Sequence, residues 1–443
     1  MSGAPGLALI GAALAPSPAP VTLRVAYSGG RDSHVLLHWL AGQRAALAPH
    51  RLLAVHVDHG LQADAARWAD HCAAVCAALG VPLQTHRIDA RPAAGQSPEA
   101  AARRARYAAL AADMQDGDVL LTAHHQTDQA ETVLLALLRG AGVAGVAAMP
   151  AQKRFGRGWL LRPLLTWPAE RLARYAQEHG LDWVEDPSNR DARFDRNFLR
   201  TEVLPLLARR WPAATATLAR HAAHAAEAQA LLDDIASADG ATTEQLTVMQ
   251  LAALSPVRQR NLLRAWLHHH GAEAPSTARL DELLRQALTA AGDRLPCVAF
   301  GDHAVRVWRG RLYLTPEPLP PPPASCLWRI DTPLELPGIG RLSTEPVSGA
   351  GLKLALLGEP PMLDVRFRGA AGGKTLRKRL QELTVPPWQR ERWPLLYRGD
   401  RLLQIAGRAP APADRAAPGE AGVRIRFEPC PTRPETEPCA HKP

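Results

Sequence analysis

The segment Ser28-Gly29-Gly30-Arg31-Asp32-Ser33 constrains the fold more than any other part of this sequence. It lies between an apolar run, Val21–Tyr27, typical of a buried strand, and His34–Leu40, whose apolar residues recur at helical spacing. In such a strand, Gly-rich turn and helix start, backbone N–H groups and the helix dipole favour a phosphate. Asp32 is suited to hold Mg²⁺ against that phosphate, and Ser33 to donate a hydrogen bond to it. The segment lacks the Gly-Lys-Ser/Thr of a Walker loop, and a tight connection without a ligand is the alternative interpretation.

Length and charge limit the classes of protein to consider. The chain has 443 residues, more than one ordinary hydrophobic core accommodates, which predicts roughly two to four domains. A formal net charge of +9 and a pI near 9.6 favour a polyanionic partner, because Lys and Arg that neutralise phosphates release counterions. An Arg-rich composition inherited from a GC-rich genome is the alternative, and charge alone does not separate the two.

The cysteines and apolar stretches favour a reduced, cytoplasmic compartment. Of the six cysteines, Cys72 and Cys76 have helical i, i+4 spacing in an Ala-rich stretch, which predicts buried small residues and not a metal pair. No basic residues precede the apolar run Gly6–Ala15, and prolines follow it, so a secretory signal is not expected. No stretch of the sequence has the length and apolar character of a membrane span.

Strands that alternate with helical patterns predict an α/β domain. The predicted strands after Val21–Tyr27 are Leu52–Leu61, Leu83–Ile88 and Asp118–His124. Such alternation implies right-handed crossovers and a doubly wound parallel sheet, whose ligands bind beyond the carboxyl ends of the strands. Polar residues cluster at three of those ends, in Ser28–Ser33, His56–Gly60 and His124–Asp128. Because the three clusters meet at one edge of the sheet, they predict an active site.

The third cluster carries candidate catalytic groups at a helix start. With a helix predicted over Asp128–Arg139, the residues His124, Asp128 and Glu131 have the spacing of one helix face. Asp128 could complete a Mg²⁺ shell begun by Asp32, and His124 could stabilise a charged phosphoryl oxygen or transfer a proton. A histidine that only caps or packs against the helix is the alternative. Zinc is not favoured, because no third soft ligand has suitable spacing.

Several segments together resemble a known family. Ser28–Ser33 matches the Ser-Gly-Gly-x-Asp-Ser signature of the PP-loop ATP pyrophosphatases, which have an adenine nucleotide alpha hydrolase-like fold, cleave ATP between the α- and β-phosphates and adenylate an acceptor. That signature is shared by several enzymes. The more specific motifs are similar to those of the tRNA(Ile)-lysidine synthetases, and they are His56–Leu61, Arg103 with Arg106-Tyr107, Ala123–Thr132, Leu138–Gly142, Glu185–Asn189, Arg196–Arg200 and Leu204-Pro205.

The resemblance implies roles for individual residues. The residues expected to bind the nucleotide are Ser28, Gly29, Gly30, Arg31, Asp32, Ser33 and His56. Those expected to bind Mg²⁺ are Asp32 and Asp128. The residues expected to be catalytic are the same two aspartates together with His124, Arg103 and Arg106. The family usually has two adjacent aspartates where this chain has Thr127-Asp128. Asp128 matches the second of them, which is the one implicated in metal binding, so the departure at Thr127 leaves the site in place.

Two groups of basic residues are suited to RNA phosphates. The first group is Arg190, Arg193, Arg196 and Arg200, and the second is Lys374, Arg377, Lys378 and Arg379. Spacings of three, three and four residues place the first group along one helix face, and its position after a family motif favours RNA over the alternative of a solvated charged face. The second group covers much of a helix turn in a region that resembles the carboxyl-terminal domain of the family, which the resemblance suggests contacts the tRNA.

The resemblance covers nearly the whole chain and divides it into three domains. We predict a PP-loop ATP pyrophosphatase domain over residues 1–213, a mainly helical substrate-binding domain over 214–315, and a small α+β tRNA-binding domain over 324–430. The proline-rich segment 316–323 indicates a stiff linker, and the Pro-, Thr- and Glu-rich residues 431–443 indicate a disordered tail. His268-His269-His270 indicates a helix end, because three consecutive residues of a helix cannot all face one ion.

The activity that the resemblance implies is an ATP-dependent ligation. Free L-lysine is joined to C2 of the wobble cytidine, position 34, in the CAU anticodon of tRNA(Ile), through an adenylated tRNA. Lysidine, AMP and pyrophosphate are the products, and codon specificity moves from AUG to AUA. A homodimer is compatible with the resemblance. Two alternatives stay open: a thiolating PP-loop enzyme, which usually carries a Cys-x-x-Cys pair unlike Cys72 and Cys76, and a tRNA-binding protein that has lost catalysis, with Thr127 as its first lesion.

Overall fold

The computed structural model describes residues 5–15, 19–58, 65–88, 98–185, 191–289, 295–367 and 374–429. The chain divides into two compact units, the first ending at Leu232 and the second beginning at Asp233. The finer division into three domains stays a prediction. Outside the described residues lie 59–60 of the second polar cluster, 186–189 of a family motif, Arg190 and the tail 431–443.

A mainly parallel sheet organises the first unit. Its strands are β1 (Thr22–Ala26), β2 (Arg51–Asp58), β3 (Leu83–Arg87), β4 (Val119–Leu121), β5 (Gln152–Phe155) and β6 (Gly158–Leu161). The strand order is β3-β2-β1-β4-β6-β5, and every neighbouring pair is parallel except the hairpin of β5 and β6. The predicted parallel sheet is therefore confirmed. The edge strand β5 was not predicted, because its Gln-Lys-Arg-Phe sequence contains no apolar run.

Helices cover this sheet and extend beyond it along the chain. They are α1 (Pro5–Leu14), α2 (Arg31–Ala41), α3 (Arg44–Leu47), α4 (Ala65–Leu79), α5 (Pro98–Ala112), α6 (Gln126–Leu138), α7 (Val143–Val146), α8 (Ala169–Glu178), α9 (Asp195–Phe198), α10 (Leu204–Arg210) and α11 (Ala214–Ala238). A π-helical turn, Leu199–Val203, joins α9 to α10. No helix in the described part of the chain, α11 included, is long and apolar enough to cross a membrane.

The core of the first unit positions β1 and α2. Leu23 of β1 and Leu36 of α2 are fully buried in one apolar cluster with Leu172 of α8. Ile10 of α1 packs into the same cluster, which explains the apolar run near the amino terminus. Burying each of these side chains contributes about 1.5–3 kcal/mol, so the strand and helix that flank the glycine-rich turn are held firmly.

The second unit begins with helices and a small antiparallel sheet. Its first elements are α12 (Val248–Ala252), α13 (Pro256–His269), α14 (Thr277–Thr289), β7 (Cys297–Phe300), β8 (His303–Trp308) and β9 (Arg311–Pro316). The strands β8 and β9 form a hairpin, and β7 adds a third strand. His270 follows α13, and its Nδ1–H donates to the Trp266 carbonyl at 2.8 Å, which confirms the predicted helix end.

Antiparallel sheets and one longer helix complete the second unit. The elements are β10 (Cys326–Arg329), β11 (Leu334–Leu336), β12 (Gly340–Ser348), β13 (Leu352–Lys353), β14 (Met362–Arg366), α15 (Lys374–Glu382), β15 (Leu395–Arg398), β16 (Arg401–Ile405) and β17 (Ala421–Pro429). The strand orders are β10-β14-β15-β16 and β11-β12-β17-β13. Leu380 of α15 packs against Leu395 and Ile405. This arrangement confirms the predicted α+β character of the carboxyl-terminal region.

Candidate active site

The loop Ser28–Ser33 joins β1 to α2, as predicted. Gly29 has a φ of +81°, and a Cβ there would lie 3.0 Å from Sγ of Cys72 on α4, so only glycine fits without strain. Ser33 Oγ donates to the Gly30 carbonyl at 2.9 Å, and the Ser28 N–H donates to Ser33 Oγ at 3.2 Å. Gly30 immediately precedes α2, so the free N–H groups of the first helical turn lie at the loop. Ser33 thus supports the loop from inside, and its hydrogen bond to a phosphate stays a prediction.

His56 and Cys72 lie beneath this loop. His56, at the carboxyl end of β2, is buried and donates from Nδ1 to the Tyr27 carbonyl at 3.0 Å. Its Nδ1 lies 3.6 Å from Cys72 Sγ. Burial raises the pKa of Cys72 to about 12, so the thiol is protonated at neutral pH. Cys72 and Cys76 are both buried, as their spacing predicted, whereas a nucleotide contact by His56 stays a prediction.

Asp32 and Asp128 converge on one histidine beside the loop. Asp32 lies in the first turn of α2, and Asp128 lies in the first turn of α6. Nε2 of His125 is 3.5 Å from Asp32 Oδ2 and 3.6 Å from Asp128 Oδ2. Two carboxylates that follow different strands of the sheet therefore face the same point, as expected for residues at the carboxyl edge of parallel strands.

His125 is a residue that the sequence analysis did not single out. It caps α6: the Thr127 N–H donates to His125 Nδ1 at 3.2 Å, and the His125 N–H donates to Asp128 Oδ2 at 2.9 Å. Because Nδ1 accepts a hydrogen bond, the ring proton lies on Nε2, which faces the two carboxylates. The sequence signal that could have identified His125 as the cap is Asp128 three positions later, because an acidic residue at that spacing is the pattern of a capping box.

His124 lies before the helix and not on it. Since α6 begins at Gln126, the helix face predicted for His124, Asp128 and Glu131 is wrong for His124. Its Nδ1 is instead 2.9 Å from Thr122 Oγ1, in the segment between β4 and α6. Burial, reinforced by nearby arginines and opposed by Asp128, lowers the pKa of His124 to about 3. The imidazole is therefore neutral at physiological pH and is a weak base.

The surrounding charges keep both carboxylates ionised. Burial opposes ionisation of Asp32, but hydrogen bonding to His125 and the charge of Arg31 hold its pKa below the usual value. Arg31 Nε donates to Asp32 Oδ1 at 2.9 Å. The pKa of Asp128 is also lowered, because the positive charges around it, first that of His125 and then those of Arg196 and Arg200, outweigh burial. The pKa of His125 is raised, since its hydrogen bond to Asp32 outweighs burial.

Arginines from the α9 region complete the polar site. Glu131 of α6 is fully buried and accepts from Arg196 Nε at 2.8 Å and from Arg200 Nε at 2.6 Å. Arg200 Nη2 also donates to Asp128 Oδ1 at 2.9 Å. Arg196 and Arg200 occupy successive helical turns as their spacing predicted, whereas Arg193 precedes α9 and is exposed. Contact of these arginines with RNA stays a prediction.

Arg103 and Arg106 project from α5 around Tyr107. Their guanidinium carbons lie 5.1 and 5.6 Å from the centre of the Tyr107 ring. Burial lowers the pKa of Arg106, and the charges of Arg103 and Arg196 lower it further. The predicted catalytic arginines are therefore close to the arginines that pair with Glu131, and they bring additional positive charge to the carboxyl edge of the sheet.

The donor set fits a magnesium ion shared with a phosphate. Among the described residues, no group of three or more His, Cys, Asp or Glu side chains is suited to enclose a metal ion. Mg²⁺ is commonly held by one or two carboxylates together with water and substrate phosphates, and Asp32 and Asp128 supply two carboxylates. Thr127 contributes its backbone N–H to the helix cap.

The basic residues predicted on the carboxyl-terminal helix lie on α15. Arg377, Lys378 and Arg379 are exposed, while Leu376 and Leu380 on the other side of the helix pack against neighbouring strands. Lys374 is the first residue of α15. The exposed side of α15 therefore presents consecutive positive charges to solvent.

Comparison with known proteins places the chain in a family. A PP-loop domain model matches residues 11–207, a TilS substrate binding domain model matches 246–313, and a TilS substrate C-terminal domain model matches 358–427. The tRNA(Ile)-lysidine synthase of Alkalilimnicola ehrlichii is 45% identical over 408 residues, which are 89% of this chain and 91% of that protein. Those of Coxiella burnetii and Pseudomonas aeruginosa are 41% and 42% identical, each over 91% of this chain and 93% of the relative. The chain belongs to the tRNA(Ile)-lysidine synthases.

Membership in the tRNA(Ile)-lysidine synthases confirms the predicted family, its PP-loop fold and the predicted enzyme class, an ATP-using ligase. The matched segments 11–207, 246–313 and 358–427 fall within the three predicted domains, whose boundaries stay predictions. Among solved structures, a U34-tRNA thiolase from Methanococcus maripaludis matches with a TM-score of 0.41 and 15% identity over 49% of this chain and 76% of that one.

Proposed function

We propose that this chain forms lysidine at cytidine 34 of a tRNA(Ile) with a CAU anticodon, from ATP and free L-lysine. The observation that supports the proposal most directly is that the carboxylates of Asp32 and Asp128 lie 3.5 and 3.6 Å from the same atom, Nε2 of His125, beside the loop Ser28–Ser33. The relatives are tRNA(Ile)-lysidine synthases, which supports the tRNA substrate and the lysidine product. The cytoplasm, where unmodified tRNA is found, is the compartment in which we place this activity, and a homodimer is its proposed assembly.

The loop and its arginines act on the triphosphate. The Gly29 and Gly30 N–H groups and the amino terminus of α2 bind the β- and γ-phosphates. Asp32 and Asp128 would hold Mg²⁺, which neutralises charge on the phosphates when bound. Arg31 orients Asp32 through their 2.9 Å hydrogen bond. Arg106 stabilises the negative charge that develops on the departing pyrophosphate.

Two displacement steps complete the reaction. The C2 carbonyl oxygen of the cytidine attacks the α-phosphate, and the bond between the α-phosphate and pyrophosphate breaks. His124 is neutral, because its pKa is about 3, so its role is a hydrogen bond to the α-phosphoryl oxygen and not the acceptance of a proton. The ε-amine of lysine then attacks C2, and the C2–O bond breaks to release AMP.

Positive side chains of both units contact the tRNA in this proposal. They are Arg190, Arg193, Arg196 and Arg200 in the first unit and Lys374, Arg377, Lys378 and Arg379 in the second. The exposed α15 residues are free to meet phosphates directly. Arg196 and Arg200 already pair with Glu131, so a phosphate would compete with that carboxylate for them.

The test combines ATP cleavage with lysine incorporation. The full chain is incubated with ATP, radiolabelled lysine and an unmodified CAU tRNA(Ile) transcript, and AMP and tRNA-bound lysine are measured. We expect AMP and tRNA-bound lysine in equal amounts. We expect neither product with a transcript in which cytidine 34 is replaced by uridine. AMP without tRNA-bound lysine would overturn the proposal. Bound tRNA without any turnover would favour a binding protein, and sulfur transfer to the tRNA would favour a thiolase.

A further inference from the structure

Three basic side chains, those of Arg103, Lys153 and Arg162, lie on the side of the sheet that packs against α5, and we call the place where they meet the pocket. In the β5–β6 hairpin, Lys153 is opposite Leu160, and the Arg162 N–H donates to the Ala151 carbonyl at 2.9 Å. Because side chains alternate across a strand, Lys153 and Arg162 are diagonal neighbours on one face of the hairpin. Leu160 shares this face and packs with Tyr107 of α5. The hairpin and α5 therefore bring Lys153 and Arg162 close to Arg103.

Arg162 is the most buried of the three, and one of its guanidinium N–H groups lacks an acceptor among the described residues. The residue is 3% exposed, and its Nη1 donates to the Pro150 carbonyl at 2.6 Å. Its buried Nε has no hydrogen-bond partner among the residues that the structure describes. A buried donor without an acceptor is unfavourable, so this N–H marks a place for an acceptor from outside the chain.

The positive charge of the pocket is not balanced by neighbouring carboxylates. Burial lowers the pKa of Lys153, and the charges of Arg162 and Arg103 lower it further. Burial and Arg103 likewise lower the pKa of Arg162. Glu131, an acidic group of this edge, is paired with other arginines. Like charges held together in this way attract an anion.

The pocket is separate from the loop that holds the triphosphate. The Thr122 N–H donates to the Leu161 carbonyl at 3.0 Å, so Arg162 follows β6 at the edge where His124 follows β4. In the strand order, β6 is two places from β1, and strands about 4.8 Å apart put Arg162 about 10 Å from the phosphate-binding loop. Lys153 lies one strand further out, on the edge strand of the sheet, and is half-buried.

We propose that Arg103, Lys153 and Arg162 bind a phosphodiester group of the RNA substrate, next to the base that reacts. This assignment rests on the proposed function, in which a nucleotide of the tRNA must reach His124. The backbone of that nucleotide enters with the base and brings an anion to this edge. A phosphodiester oxygen satisfies Arg162 Nε, and its charge is shared by the Arg103 and Lys153 side chains.

The test uses Lys153→Gln with Arg154→Gln as its matched control. Arg154 is adjacent but lies on the opposite face of the hairpin, exposed and 4.1 Å from the centre of the Trp159 ring. Filter binding of the tRNA without ATP is measured over a salt titration. We expect Lys153→Gln to weaken binding about 3–10-fold and to reduce the slope of log K against log salt by about 0.7–0.9, the loss of one phosphate contact. Arg154→Gln should change neither quantity.

A second variant and the ATP dependence separate the remaining outcomes. Arg162→Lys keeps the charge and removes Nε, so we expect weaker tRNA binding with an unchanged salt slope. A raised KM for ATP in Lys153→Gln with normal tRNA affinity would show that the pocket binds a nucleotide phosphate, and the RNA assignment would be overturned. Equal losses in Lys153→Gln and Arg154→Gln would also overturn it. The proposed function and the pocket can also fail separately. If Lys153→Gln weakened tRNA binding as expected but the wild-type chain incorporated no lysine, the proposed function would be wrong, whereas the assignment of the pocket to an RNA phosphate would be supported.

Discussion

Replacing Glu131 by Gln measures how strongly the buried carboxylate joins α6 to the α9 region. Glu131 accepts from Arg196 Nε at 2.8 Å and from Arg200 Nε and Nη2 at 2.6 and 3.1 Å. Glutamine has nearly the same shape but only one acceptor oxygen. At least one guanidinium N–H would therefore face the N–H₂ group of the new amide, and the two positive charges would lose their shared counter-ion.

The expected loss follows from these contacts. A hydrogen bond to a charged group contributes about 1.5–3 kcal/mol. The Arg196 and Arg200 side chains are 25% and 40% exposed, so water replaces part of what is lost. We expect Glu131→Gln to destabilise the first unit by about 2–3 kcal/mol, which at roughly 2–4 °C per kcal/mol lowers its Tm by about 4–12 °C.

Scanning calorimetry of the full chain measures this shift, and ATP identifies the transition of the first unit by raising its Tm. Asp195→Asn is the matched control, because Asp195 pairs with Arg139 at 3.2 Å while 72% of its side chain is exposed. That variant should leave the Tm unchanged. If Glu131→Gln changed the Tm no more than Asp195→Asn does, the inference that this buried carboxylate stabilises the unit would be refuted.

Three further predictions test the site and the tRNA contacts. Asp32→Ala should lose pyrophosphate release while filter binding shows normal tRNA affinity, and retained ATP cleavage would contradict its metal role. Because the pKa of His124 falls from 6.5 to about 3 in the folded chain, the unfolded chain binds more protons between these values, and stability decreases as pH falls. As the pH is lowered over that range, the Tm of His124→Gln should therefore fall less than the Tm of the wild type. If the two Tm values fell in parallel, this prediction would be wrong. Replacing Arg377, Lys378 and Arg379 together by Gln should reduce the salt slope of tRNA binding by about two to three, with an unchanged Tm; the same slope would rule out their phosphate contacts.

The start of the first unit was predictable because local signals agree there. An apolar run forms β1, glycine occupies the position with φ of +81°, and helical spacing continues into α2. The rule that polar residues meet at the carboxyl ends of parallel strands also brought Asp32 and Asp128 together correctly. The strand β5 has no such local signal, because its polar residues are held in place by pairing with β6.

The details of the site depend on contacts that sequence spacing does not contain. The first residue of α6 is set by His125, a cap where Ser, Thr, Asp or Asn is usual. The helix therefore begins at Gln126, earlier than predicted, but His124 still precedes the cap and lies outside the helix. The partners of Arg196 and Arg200 lie 65 and 69 residues away, and folding of the whole unit decides that they meet Glu131. Arg162 belongs to no motif, and only its burial and the lack of a partner for Nε among the described residues draw attention to it.

The two outer strands of the first sheet, β3 and β5, affect how copies of this protein behave toward one another. Outer strands offer backbone groups to which a second polypeptide can attach, and this is a common route to insoluble deposits. β5 is four residues long and carries Lys153 and Arg154, and β3 is five residues long and ends in His86-Arg87. Two molecules meeting along β5 would bring the positive charges of Lys153 and Arg154 together, and their repulsion favours solubility while newly made chains are crowded together.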